Sequence, residues 1–108
     1  MNELGETEWG KSGLEATGPG TFQLGTIVGT PGALAELEKA GVLPQQLLAR
    51  HTSGDWGDVG TEDHAANDEA ALTGERLLSS YRLPTGVRVW VLTEWDRSAT
   101  TVLLPGEY

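Results

Sequence analysis

The stretch LLSSYRLPTGVRVWVLTEWDRSATTVLLP, residues 77–105, decides the fold. Its apolar residues recur with a period near two, and it divides into three runs, residues 77–83, 87–95 and 100–105, that read as successive strands. Pro84, Thr85 and Gly86 supply the first turn, and Asp96, Arg97 and Ser98 the second. Connections this short force an antiparallel meander. In its middle strand Val87, Val89, Val91 and Thr93 share one face, and Arg88, Trp90, Leu92 and Glu94 the other.

Upstream of the meander the period lengthens. TFQLGTIV, residues 21–28, reads as a partly buried strand with Phe22, Leu24, Thr26 and Val28 on one side, Ile27 adding apolarity and Gly29 ending it. Thr30 followed by Pro31 marks a helix start, Leu34 and Leu37 continue it at helical spacing, and Gly41 is the stop. Pro44 opens a second short helix whose C-terminal end carries Arg50 and His51, where a basic end is favoured by the helix dipole. HTSGDWGDVG, residues 51–60, is a glycine- and aspartate-rich loop around Trp56. Thr61 caps a third helix over residues 62–73, predicted to bury its alanines and Leu72, with Gly74 as its stop. Residues 1–20 contain five glycines and no sustained apolar period, and read as a disordered acidic tail. The predicted fold is therefore α+β. A single domain over residues 21–108 holds about four mainly antiparallel strands, ending in the three-stranded meander, with two to three helices packed on one face.

Bulk composition narrows the chemistry. With no cysteine among 108 residues, disulfides, thiolate zinc sites and cysteine nucleophiles are excluded. The expected locale is the cytoplasm, because residues 1–20 lack the basic start and apolar run of a signal peptide and no stretch is long enough to span a bilayer. The net charge of −9 is uneven: −3 over residues 1–20, −2 over 21–60, −4 over 61–74 and zero from 75 onward. An acidic total opposes nonspecific binding to nucleic acid, although a local arginine face in the last third could still provide it.

Three constellations could carry function. His51, Asp55 and Asp58, with Asp63 or His64, place imidazole and carboxylates close together, yet their spacing matches no metal motif. The simpler reading has the aspartates holding a tight loop that Trp56 anchors in the core. No metal or cofactor is expected. His51 together with Ser79, Tyr81, Thr93, Arg97, Thr100 and Thr101 would give a base, a cation and hydroxyls, the inventory of general acid-base RNA cleavage, provided that they converge on one face. Alternatively these residues are strand formers, solvated arginines and a helix-end histidine. Finally, an acidic helix, an acidic tail and four tryptophans could bind a partner protein by mimicking the charge of nucleic acid. Trp90 and Trp95 fall on opposite faces of a regular strand, so at least one covers the second side of the sheet or an interface.

Two segments, RHTSGDWGD (residues 50–58) and WVLTEWDRSATTVLLPGEY (residues 90–108), resemble a family of small uncharacterised bacterial proteins of plasmids, phages and other mobile elements. The likeness covers about residues 21–108. In that family a strand-helix start precedes His-x-x-Gly-Asp-Trp-Gly, followed by an Asn-containing helix, here with Asn67, and a terminal DRSxTTxLLPxEY. Members sometimes carry the label of restriction-modification subunit, but this chain has no methyltransferase cofactor motif and is too short for such a domain. The order of elements is also similar to barnase-like and RelE-like ribonuclease toxins, which are typically basic where this chain is acidic.

The resemblance implies an interaction protein, modulating host restriction or defence, whose partner is another protein. Its functional surface would comprise the His51–Asp58 loop and the Arg97 region, with Asp55, Trp56, Asp58, Asn67 and Tyr81 as binding residues. The alternative is a metal-independent ribonuclease in which His51, Arg97 and Thr100 are catalytic and RNA is the partner. A membrane partner is not expected.

Overall fold

The computed structural model describes the backbone of residues 7–11 and the whole of residues 22–108. The elements are β1 (Thr7–Lys11), β2 (Thr26–Gly29), α1 (Pro31–Ala40), α2 (Pro44–Thr52), α3 (Thr61–Thr73), β3 (Leu77–Arg82), β4 (Arg88–Thr93), β5 (Ala99–Leu103) and a final 3-10 turn, Pro105–Glu107. The fold is α+β. A mixed sheet has the order β2-β5-β4-β3, with β1 added outside β2. The meander is antiparallel throughout, and β2 joins it parallel to β5, with Ile27 opposite Thr100.

Most of the predicted tail, residues 1–6 and 12–20, lies outside the described residues. Within it, Thr7–Lys11 is a strand paired antiparallel with β2, where the sequence alone suggests no element. Backbone pairing with a waiting sheet edge needs no apolar period, which is why composition does not reveal it.

Turn chemistry fixes the helix ends. Thr30 Oγ1 accepts from the Ala33 amide at 3.1 Å, so the residue acts as the N-cap of α1, and Gly41 ends the helix at φ 70°. The same hydroxyl donates to Glu107 Oε1 at 2.6 Å, and that oxygen also accepts from the Leu104 amide at 2.7 Å. This carboxylate ties the end of β5 to the positive end of α1.

Two expectations about facing are corrected. β2 buries Ile27, while Thr26 and Val28 are only half-buried. Gly25 sits at φ 66°, a left-handed residue that breaks the alternation, so Phe22 and Leu24 are buried in one phase and Ile27 in the next. In α3 the buried positions are Asn67 and Ala70, and Leu72 is 80% exposed. That helix meets the sheet at its β3 edge, and a narrow contact needs only a stripe of two positions.

The meander behaves as read. Val89, Val91 and Thr93 are buried toward the helices. Trp90, half-buried on the other face, meets the Tyr108 ring at 5.9 Å. The core cluster contains Leu37, Leu47, Leu48, Leu77, Val91 and Val102, all on the helix side of the sheet, and excludes the buried Leu92 and Leu103 of the opposite face. No helix among the described residues is long and apolar enough to cross a membrane.

Candidate functional site

His51 ends α2 and turns inward beneath the sheet, where it is fully buried. Its Nδ1 lies 2.5 Å from Ser79 Oγ on β3, and its Nε2 lies 2.9 Å from Thr93 Oγ1 on β4. Thr93 Oγ1 is in turn 2.8 Å from Thr100 Oγ1 on β5, which donates at 2.8 Å to the Leu24 carbonyl. The direction of this chain follows from its last link. A carbonyl only accepts, so the single Thr100 hydroxyl proton points to Leu24, and Thr93 must donate to Thr100. Thr93 can then only accept from His51, which assigns the proton to Nε2 and leaves Nδ1 to accept from Ser79. Every donor is used once. Burial drives the His51 pKa down to about 3, and the positive charge of Arg97 adds to the effect, so the imidazole is neutral.

Arg97 occupies the β4–β5 turn at φ 61°, a left-handed conformation that is uncommon for a residue bearing a Cβ. Its guanidinium binds backbone carbonyls. Nη1 donates to Glu75 at 2.6 Å, Glu94 at 3.1 Å and Trp95 at 3.3 Å, while Nη2 donates to Ala70 at 2.9 Å. Ala70 lies in the last turn of α3, so one side chain serves the negative end of that helix and joins it to the hairpin. The Arg97 guanidinium also lies 5.5 Å from the Phe22 ring, whose edge-on neighbour at 5.1 Å is His51. His51, Arg97 and Thr100 are thus brought into one region around Phe22 and Leu24, but each is oriented to a protein group. A cavity of about 460 Å³ runs along α3, lined by Asn67, Glu69, Ala70, Thr73, Glu75 and Arg76, and neither His51 nor Arg97 lines it.

The residues 55–58 form a lock on the outer edge of β3. Arg50 pairs with Asp55 through Nε at 2.6 Å and Nη2 at 3.2 Å, and its guanidinium lies over the Tyr81 ring at 4.4 Å. This pairing holds the Asp55 carboxyl below its usual range. Tyr81 donates its hydroxyl to the Asp55 carbonyl at 2.6 Å, and burial pushes its phenol pKa up. Trp56 is 1% exposed and donates Nε1–H to Asp68 of α3 at 2.9 Å. The loop backbone pairs with the strand edge, with Ser80 N–H donating to the Trp56 carbonyl at 3.0 Å and Asp58 N–H to the Ser80 carbonyl at 2.6 Å. Gly57, at φ 76°, comes so close that a Cβ there would collide with the Ser80 carbonyl and the Tyr81 ring. Gly57→Ala is expected to destabilise the fold by about 2–4 kcal/mol, as strain and displacement of the edge add together, measurable by denaturant unfolding.

Asn67 completes the lock. Its Nδ2 donates to the Leu78 carbonyl at 2.9 Å and its Oδ1 accepts from the Leu78 amide at 3.3 Å, so a carboxamide takes the place of a neighbouring strand. An uncovered edge is a template for unwanted pairing, and Asn67 with the Trp56–Asp58 loop closes this one. Asn67→Ala leaves both Leu78 groups unpaired and is expected to cost about 2–3 kcal/mol. Its second consequence is a faster loss to aggregation, read by light scattering at constant temperature.

Asp58 lies 3.5 Å from Arg88, and His64 pairs with Asp68 at 3.3 Å. Among the described residues, no three carboxylate, imidazole or thiol groups converge to hold a metal ion. Sequence reasoning missed Asp68 as the partner of Trp56 and Glu107 as the partner of Thr30. Neither contact has a spacing signature. Compared with protein-family models, curated proteins and solved structures, the chain matches none.

Proposed function

We propose that this protein is a noncatalytic binding module whose interaction surface is the Arg97 region, where the β4–β5 hairpin meets the end of α3. The supporting observation is the fourfold carbonyl binding by Arg97, which holds Ala70, Glu75, Glu94 and Trp95 in one rigid unit. Trp95, whose carbonyl belongs to that unit, is 65% exposed, and Leu72, two residues along α3 from Ala70, is 80% exposed. Exposed tryptophan on a rigid support is the usual anchor of a protein interface, since little conformational entropy is lost on docking. Glu69, Glu75 and Asp96 lie within three residues of Trp95 or Leu72 in sequence, so the complementary partner is a protein with an apolar pocket and a basic rim. The resemblance to mobile-element proteins directs the search for it to host restriction and defence components.

The ribonuclease reading has less support, because a general base must reach its substrate and His51 is enclosed with both ring nitrogens hydrogen-bonded. The test is site-specific photocrosslinking from position 95 in a bacterial host. A discrete adduct that Leu72→Glu abolishes without lowering the melting temperature is expected. Cleavage of RNA by the purified chain, lost in His51→Gln, would overturn the proposal.

A further inference from the structure

The lock on the outer edge of β3 stops one rung short of the start of the strand. Leu78 and Ser80 turn their backbone groups outward, to the Asn67 carboxamide and to the Trp56–Asp58 loop, and the residues between them turn theirs to β4. Two residues before Leu78 the same alternation turns the N–H and C=O of Arg76 outward. Neither group has a hydrogen-bond partner among the described residues. Glu94, the next position across on β4, does not take them, because its amide donates to the Ala99 carbonyl and its carbonyl accepts from Arg97. Asn67 and Arg76 both line the α3 cavity of about 460 Å³, so the open rung lies at its wall. Glu69 and Glu75 stand there against Arg76 alone, and the last turn of α3 carries no basic residue of its own.

We infer that this cavity receives an extended peptide segment of the partner protein, one residue of which pairs with the Arg76 backbone while a neighbouring lysine or arginine meets Glu69 and Glu75. The pairing has its pattern one rung away. Asn67 offers Leu78 an acceptor and a donor side by side, and the C=O and N–H of one extended residue offer Arg76 the same pair. A cation alone donates only and leaves the Arg76 N–H without an acceptor, whereas a carboxylate accepts only and meets two acids. Charge narrows the source. Residues 1–6 and 12–20 of this chain bring Glu3, Glu6 and Glu15 and no base, and a second copy brings a net charge of −9, so neither complements the cavity. The inference rests on the reading of the Arg97 region as the interaction surface, because Ala70 and Glu75, whose carbonyls Arg97 binds, also line the cavity.

The test is titration of the isotope-labelled full chain, followed by proton–nitrogen NMR, with three probes: acetyl-Ala-Arg-Ala-amide, its glutamate counterpart acetyl-Ala-Glu-Ala-amide, and the arginine peptide methylated at every peptide nitrogen. The arginine peptide is expected to shift the Arg76, Asn67 and Thr73 amide resonances saturably in the millimolar range, as suits one rung and one ion pair. The glutamate peptide, which reverses the charge, and the methylated peptide, which cannot donate, should each bind about tenfold more weakly. E69Q/E75Q, at exposed positions, should weaken the arginine peptide by about tenfold at an unchanged melting temperature. No shift at Arg76, or equal binding of all three peptides, overturns the inference. Free guanidinium ion that binds the cavity as tightly as the peptide overturns it as well, since the rung is then idle. The photocrosslink from position 95 separates this from the wider reading: an adduct that forms equally in the parent and in E69Q/E75Q overturns the inference and leaves the Arg97 surface standing, whereas no adduct at all overturns that surface and with it the partner named for the cavity.

Discussion

Trp56→Ala is expected to destabilise the protein by about 3–5 kcal/mol, a large share of the total stability of a domain of this size. The indole is 1% exposed, lies nearly parallel to Phe22 at 6.1 Å and edge-on to His51 at 5.5 Å. Its removal leaves a cavity bounded by the loop, the sheet and α3, and frees the Asp68 carboxylate that Nε1 engages. Trp56→Phe retains most of the volume and removes only the hydrogen bond, so it should cost about 1–2 kcal/mol. The gap between the two variants, read from urea unfolding midpoints at equal m-value, separates packing from hydrogen bonding. If both cost under about 1 kcal/mol, Trp56 is not the anchor of the edge lock.

The second large effect is acid destabilisation through His51. Unfolded, its imidazole titrates at its ordinary value of 6.5; folded, burial holds it at about 3. Between those values the unfolded state binds a proton that the folded state does not, so stability falls as pH falls. The slope is about 1.4 kcal/mol per pH unit below pH 6.5, roughly 2–3 kcal/mol by pH 4.5. Above pH 6.5 this contribution is complete and flat. The carboxylates of Asp55 and Asp96 are also depressed, by the Arg50 pairing and by the Ser98 hydroxyl, but their loss begins only as pH nears the usual carboxylate range. The window from pH 6.5 to about 4.5 therefore belongs to His51. His51→Gln, which can still accept from Ser79 and donate to Thr93, should flatten the stability curve there. A variant curve as steep as that of the parent would contradict the assignment.

Much of this architecture can be read from residues close in sequence. The alternation around Val89, Val91 and Thr93 fixes which face of β4 is buried, and Thr30-Pro31 with Gly41 sets the bounds of α1. What escapes is nonlocal. The helix pattern of α3 places Leu72 inward because a flat contact is assumed, whereas the helix meets only the sheet edge, through Asn67 and Ala70. Gly25 shifts the phase of the first strand by a single left-handed residue. β1 exists because β2 offers an edge, not because TEWGK favours a strand.

The candidate site divides in the same way. His51, Thr93 and Thr100 can be grouped by residue type, but chemistry alone does not say whether a histidine among hydroxyls is a base facing substrate or a buried link between strands. Only the three-dimensional order Ser79, His51, Thr93, Thr100, Leu24 makes the distinction, and its successive links span 28, 42, 7 and 76 residues. Asp55, Trp56 and Asn67 have a clear structural task at the β3 edge, so their specific spacing reflects that lock.

His51 is a neutral, enclosed structural group, and long-range proton–nitrogen NMR of its imidazole tests this most directly. A single tautomer carrying its proton on Nε2, unchanged from about pH 8 to about pH 4.5, is the expected result. Titration with a midpoint near 6.5, or a proton on Nδ1, would contradict the hydrogen-bond chain and return His51 to the role of a reactive base.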